Sequence, residues 1–563
     1  MTTTDIGPAT KAAQWSDLAL VGLVALLLFI PGLGARDLWP PNEPNFAEAV
    51  SEMHARDDYL VPVINGAEFP EKPILYYWLA LISSHVTGSV SELTLRLPLA
   101  AVGIASVLVC YLLVLPYAGR ARARLAALLL ATTWSVYWTS RSIQMDLLVM
   151  FFTLCTTLIV TRIVDCGFPP WRGWALAGIA AGLGFLSKGP VAIVVPSICI
   201  LLYLATTGKL GALRSWSLTA AVASCAAVAA PWYVALYATG HHEFLVEVLW
   251  RQNVTRYLEA WDHRRPWWYF LVHFWIVLAP WAAFAPLALR LPGRDAGRRA
   301  LDRLCWVWIA GVVAFFSLSE CKRGPYLLPA APAVAILVAG LIEKLWNNEL
   351  SARRRRAVLG LLLAHAIVLL AGGAWALARV PVVFPPLSWH AAAFGVLVIS
   401  GAAAMLIGFL PSMRASRLPL KAFAGTIAIL YLMASVSLVP AVDRYKSARG
   451  FMARLNEIAP REGTLALYRL QMRLGEYCFY GQRLIPNLES ETQLRNYWHS
   501  PGAKFVVVDE KRLGDLRPIL GEAGPLMRQT IGGDTVLLFA TGDDRLGVAG
   551  LSQHPRESLP VRR

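Results

Sequence analysis

Apolar residues run through this chain in blocks of about 15 to 25, parted by short polar stretches, a spacing that predicts helices crossing a bilayer. Thirteen blocks are expected, near 18–35, 97–117, 125–140, 147–163, 174–187, 190–207, 217–239, 268–289, 304–318, 326–342, 357–379, 390–410 and 422–440. The stretch 73–88 reads as an interfacial or re-entrant helix. The first block has only Lys11 as a base before it and many blocks after it, so it reads as an uncleaved first helix. Beyond 441 the pattern changes. Short β-like runs at 464–468, 504–509 and 535–540 are parted by helix-compatible stretches such as 447–458. The expected organisation is a transmembrane domain over 1–441 that includes an outer first loop, 36–72. A soluble α/β domain over 442–545 follows, and then a disordered tail, 546–563.

Composition agrees with a membrane protein. Hydrophobic residues make up 56% of the chain and charged residues only 16%, where a soluble chain carries about a quarter. The excess of 52 Lys and Arg over 36 Asp and Glu does not indicate nucleic-acid binding, because the bases sit in short loops between apolar blocks. Loops around Arg120, Arg172, Lys209, Arg298, the arginine run 353–356 and Arg417 share one side, which orients the N-terminus to the cytoplasm. An odd number of spans then leaves the C-terminal domain outside. The eight cysteines form no CxxC pair or metal-ligand spacing.

Some bases break this orientation rule. Lys72, Arg96, Arg141, Lys188, Arg251, Arg256, Arg264, Arg265, Lys322 and Arg323 all fall on the outer side, mostly at span ends. Each alone could snorkel to a lipid headgroup. As a set they suit an anionic ligand at the membrane surface, since Arg and Lys bind phosphate through charge-assisted hydrogen bonds. Acids lie on the same side: Glu43 and Glu48 on an amphipathic stretch near 43–53, Glu71, and Asp146 where the fourth span begins. Carboxylates beside cations are what a group-transfer cleft needs to orient an acceptor or take its proton. His241, His242, His263 and Glu71 fit no recognised metal motif, so no metal site is expected. Nor is any charge placed near the middle of a span, which disfavours an ion-coupled transporter.

Several outer segments resemble a known family. They are Trp39-Pro-Pro-Asn-Glu-Pro-Asn-Phe-Ala-Glu48 running on to Met53, Tyr59-Leu-Val-Pro62 and Phe69-Pro-Glu-Lys-Pro73, Leu95-Arg-Leu-Pro98, Gln144-Met-Asp146 and Leu186-Ser-Lys-Gly-Pro190. Asn253-Val-Thr-Arg256, His263-Arg-Arg-Pro266, and Phe316-Ser-Leu-Ser319 with Lys322 and Tyr326-Leu-Leu-Pro329 complete the set. Over about the first 345 residues the chain is similar to the protein-mannosyltransferase-like family, in particular its lipid A aminoarabinose transferase branch.

The resemblance implies a GT-C fold and a glycosyltransferase of the bacterial inner membrane with its active site facing the periplasm. It implies a polyprenyl-phosphate-linked sugar as donor, a lipid A phosphate as acceptor, a monomer embedded among membrane lipids, and no cofactor. Glu43 and Asp146 would line the catalytic cleft, while Asn42, Lys72, Arg96, Lys188, Arg256, His263, Arg264, Lys322 and Tyr326 would contact substrates. The family usually has Asp-Glu where this chain has Asn42-Glu43. Transfer to a protein or another glycolipid, or non-catalytic flipping of a lipid-linked sugar, stays open on the sequence.

Overall fold

The structure, a computed structural model, describes residues 8–289, 291, 293, 295–409, 417–459, 465–521 and 524–541. The tail 546–563 lies outside the described residues. The chain forms two compact units, Met1–Ala35 with Pro70–Pro440, and Arg36–Phe69 with Ala441–Arg563.

The N-terminal half of the chain folds into helices α1 (Pro8–Phe29), α2 (Asn42–Arg56), α3 (Leu75–Thr87), α4 (Glu92–Ala131), α5 (Trp134–Thr139), α6 (Asp146–Cys166), α7 (Pro170–Lys188), α8 (Val191–Thr206) and α9 (Leu218–Ala238). Among the described residues, nine helices are long and apolar enough to cross a membrane. A tenth span exists if Tyr269–Val277 and Trp281–Ala288, bent by 111°, count as one. Thirteen were expected, and the four blocks that fall short do so for local reasons. The block 125–140 is the second limb of α4 beyond a break at Gly119 (φ 78), followed by the short α5. The block 268–289 is the bent pair, and α8 has 16 residues. Although α7 has 19, its glycines and the flanking Arg172 and Lys188 dilute its apolar character.

Those glycines serve packing. A Cβ at Gly178 would lie 2.1 Å from the carbonyl of Ala221, so α7 and α9 touch backbone to backbone. The segment Gly324–Trp346 is the core of this unit, 89% buried, whereas Leu218–Ala238 is 11% buried and presents apolar side chains outward, as a lipid-facing helix does. Charges near the ends expected inside are paired: Asp17 takes Arg120 at 2.6 Å and Arg124 at 3.3 Å, Arg122 pairs with Asp302, and Lys209 with Asp165.

The second unit contains α2, a hairpin of β1 (Val63–Ile64) and β2 (Ala67–Glu68), and a five-stranded sheet. The hairpin turns on Asn65 and Gly66, both left-handed (φ 53 and 76), the Asn-Gly pair that a two-residue turn prefers. The sheet comprises β3 (Leu465–Tyr468), β4 (Asn487–Leu488), β5 (Phe505–Asp509), β6 (Met527–Ile531) and β7 (Asp534–Ala540) in the order β4-β3-β5-β7-β6. β3 runs parallel to β4 and β5, and β7 antiparallel to β5 and β6. Ala466, Val506, Val508, Leu537 and Phe539 form a core with Leu494, Leu516 and Ile519 of the helices Glu491–Trp498 and Leu513–Leu520. Alternate residues Leu467, Val507 and Leu538 are buried too, so both faces are covered.

The first outer loop, grouped with the spans on sequence, packs with the C-terminal segment over Arg36–Phe69. A Cβ at Gly475 would fall 2.7 Å from Cα of Asn45, so α2 and the helix Leu474–Gly481 meet backbone to backbone. The Asn65 amide donates to the Ile485 carbonyl at 2.9 Å, and its oxygen accepts from the Ile485 N–H at 2.8 Å. Consequently α2 is not the half-exposed amphipathic helix its sequence suggests. Glu43, Phe46, Glu48, Val50, Glu52 and Met53 are all buried.

Candidate functional site

Within the membrane unit, the site is built where α6 starts and α7 ends. Asp146 is the first residue of α6, where the helix dipole favours a carboxylate. Lys188 is the last of α7, and its ammonium sits 2.5 Å from Asp146 Oδ1. The chain reverses immediately afterwards at Gly189 (φ 74), where a Cβ would press on the Asn253 amide at 3.0 Å. Glycine is required there on both counts. The Lys188 ammonium also lies 4.7 Å from the centre of the Tyr326 ring.

A polar relay runs on from Tyr326. Its hydroxyl lies 3.6 Å from Cys321 Sγ, the Cys321 thiol donates to Asp262 Oδ1 at 3.8 Å, and Asp262 Oδ2 accepts from Arg256 at 2.6 Å. Arg256 also donates to Gln252 at 3.2 Å, while its Nε is buried and makes no hydrogen bond among the described residues. Of these groups, Tyr326, Cys321, Arg256 and Gln252 border a cavity of about 270 Å³. Lys188, Arg256 and Tyr326 supply its polar edge. Val191, Val194, Val254, Leu258, Phe315 and Phe316 make most of the remaining wall apolar. The π-helical turn Glu247–Thr255, which no periodicity in the sequence announces, brings Gln252, Asn253 and Val254 to the wall.

The structure thus brings Asp146, Lys188, Arg256 and Tyr326 together, with the charges of Lys72 and Arg323 close enough to act on Lys188. Lys72 donates to the Glu71 carbonyl at 2.9 Å and lies 3.4 Å from its carboxylate. Other predicted residues are engaged elsewhere. Arg96 is fully buried and donates to the Leu33 carbonyl at 3.1 Å. Lys322 is 4% exposed and ties together the carbonyls of Arg265, at 3.1 Å, and Ser319. That burial lowers its pKa from the ordinary lysine value. Arg264 is exposed and reaches the Ala260 carbonyl at 2.5 Å and Glu320 at 3.3 Å. His263 takes a left-handed backbone (φ 51), and its imidazole pKa is lowered by burial and by the Arg323 charge. Main-chain bonds between 257–265 and 319–322 make these residues one clamp. Among the described residues, no three His, Cys, Asp or Glu side chains converge as metal ligands would.

In the second unit, Asn42 opens α2 half-buried. Glu43 is buried, with Arg36 gripping both its oxygens at 2.7 and 2.8 Å and the Trp39 N–H donating at 3.1 Å. Farther along α2, burial, reinforced by the charge of Glu52, pushes the Glu48 carboxyl up to about 8. Sequence reasoning passed over Cys321, Asp262, Gln252 and Arg36. Only Asp262 offered a signal, as the acid directly before His263-Arg-Arg.

Residues 71–234 match the family described as dolichyl-phosphate-mannose-protein mannosyltransferase. The undecaprenyl phosphate-alpha-4-amino-4-deoxy-L-arabinose arabinosyl transferase of Aeromonas salmonicida is 29% identical over 62% of this chain and 63% of its own length. The protein of the same description from Edwardsiella ictaluri is 28% identical over 66% and 67%. The chain thus matches less than two thirds of the Aeromonas protein. Among solved structures, ArnT from Cupriavidus metallidurans bound to undecaprenyl phosphate superposes with a TM-score of 0.75 at 22% identity, over 95% of this chain and 99% of that one. The resemblance read from the outer motifs is borne out: this polytopic helical membrane protein has the GT-C fold, and its residues 71–234 are similar to the dolichyl-phosphate-mannose-protein mannosyltransferase family.

Proposed function

We propose that this chain is an integral membrane glycosyltransferase that moves aminoarabinose, or a related amino sugar, from a polyprenyl phosphate to a lipid A phosphate at the periplasmic face of the bacterial inner membrane. One observation carries the reading: an apolar cavity whose polar edge is Lys188, Arg256 and Tyr326. That arrangement suits an isoprenoid tail joined to a phosphate, and it sits on a fold shared with a protein crystallised with undecaprenyl phosphate.

The chemistry follows from charge. An acceptor phosphate oxygen attacks the anomeric carbon, a new C–O bond forms, and the bond from that carbon to the carrier phosphate breaks. The carrier leaves as a phosphomonoester with one more negative charge than it had in the donor. Lys188 and Arg256 stabilise that developing charge, with Lys72 adding to the field, and the Tyr326 hydroxyl supplies a donor. Asp146 faces the sugar and holds Lys188 in place. An anionic acceptor needs no proton removed, so Asn42 suffices where a hydroxyl acceptor would call for a carboxylate base. Glu43, fully occupied by Arg36, orients the loop rather than exchanging protons. Arg264 and Lys322 shape the clamp, His263 borders it, and Arg96 secures the bundle.

The test is mass spectrometry of lipid A from cells with the gene, without it, and with Lys188→Ala. An amino-sugar adduct that requires the gene and disappears in the variant is expected. Lipid A identical in all three would overturn the reading and favour a different acceptor.

A further inference from the structure

The second unit shows what holds the loop that leads into Asn42 and Glu43. Three consecutive residues, Asp37, Leu38 and Trp39, are each fastened to the C-terminal segment. Asp443 Oδ2 accepts from the Asp37 N–H at 2.8 Å, and Oδ1 of the same carboxylate accepts from the Trp39 indole at 2.7 Å. The Tyr480 hydroxyl accepts from the Leu38 N–H at 2.7 Å, and Arg449 pairs with the Asp37 carboxylate at 2.7 Å. On its other side the segment is tied forward, because Glu43 accepts from the Trp39 N–H. Arg36 and Lys446 lie over the Trp39 ring, 4.8 and 5.5 Å from its centre.

The hydrogen-bond pattern at Asp443 is specific. Both oxygens face N–H donors, so a carboxylate satisfies both and an amide cannot, since its NH₂ would meet another donor. Such a group is more than a packing contact: it fixes the backbone direction of 37–39, and so where α2 begins.

We infer that Asp443 is a positioning residue for transfer, bracing the first outer loop through Asp37 and Trp39 so that Asn42 and Glu43 are presented in one orientation. The inference rests on the function proposed above, in which those two residues serve the reaction. It gives the C-terminal domain a part in the chemistry, as the frame of a catalytic loop.

The brace and the cavity belong to different compact units, which supplies the test. Asp443→Asn should lower kcat for transfer by about ten- to hundredfold, the range for losing a hydrogen bond to a charged group. The affinity of the purified full chain for undecaprenyl phosphate should stay unchanged. Trp39→Phe, which keeps the ring and removes the N–H, should act in the same direction, and the double variant should be little worse than either single. Hydrogen exchange at the Asp37 and Leu38 amides should quicken in Asp443→Asn. Normal kcat in Asp443→Asn, or a parallel loss of undecaprenyl phosphate binding, would overturn the positioning role. Failure of the unaltered chain to transfer any sugar would instead remove the functional reading, and amide exchange would still decide whether the brace exists.

Discussion

Asp146 and Lys188 satisfy each other across 2.5 Å, so an incoming phosphate must take Lys188 from a partner it already has. Replacing Asp146 by Asn removes that negative charge and leaves the ammonium an amide oxygen and the Tyr326 ring as partners. A phosphate sharing Lys188 would lie about 6 Å from the carboxylate, where two like charges at an effective dielectric of about 20 repel by about 3 kcal/mol. The two side chains are 14% and 17% exposed, and halving the repulsion for the water that reaches them leaves about 1.4 kcal/mol, or tenfold in Kd. Undecaprenyl phosphate should therefore bind Asp146→Asn about tenfold more tightly than the unaltered protein, as read by calorimetry in detergent. The donor that carries its sugar should gain less, because Asp146 also faces that sugar. Equal or weaker binding of undecaprenyl phosphate would refute the competition argument and leave Asp146 as a structural anchor for Lys188.

Asn42→Asp should change transfer only a few-fold, and a rise of several orders of magnitude would identify a hydroxyl-acceptor enzyme. Glu43→Gln should cost about 3 kcal/mol by breaking the buried ion pair with Arg36, read as a lower Tm, and the pair Arg36→Met with Glu43→Leu should recover most of it. Raising the Glu48 pKa from near 4.5 to about 8 means the folded state binds the extra proton between those values, so stability falls as pH rises across that window. Glu48→Gln should flatten the decline in thermal melts. A phosphatase fused after Thr541 should be active on intact cells, and a silent fusion would reverse the assumed topology.

The spans were legible because a bilayer imposes one period and one length on the sequence. The count was spoiled by local features: the break at Gly119, the bend between Val277 and Trp281, the shortness of α8 and the diluted apolar character of α7. Lys188 stood out because a base at an outer span end contradicts the orientation rule, and Asp146 because it is an acid on that same side. What could not be read was pairing at a distance. No pattern in 37–39 points to Asp443 or Tyr480, and nothing in a buried Lys322 distinguishes a cation that binds phosphate from one that ties two carbonyls. The amphipathic look of α2 misled for the same reason, since its polar face is covered by the helix carrying Gly475.

The pairing of Arg36–Phe69 with Ala441–Arg563 also sets a timetable for biosynthesis. The two halves are separated by roughly 370 residues, and a ribosome adding about 5–20 residues each second needs tens of seconds to bridge them. During that interval α2 lacks the helix carrying Gly475, against which Asn45 packs in the finished unit. A chain that stalls or is cleaved in its later spans therefore presents α2 without its partner helix, a signal for proteases that a finished molecule conceals.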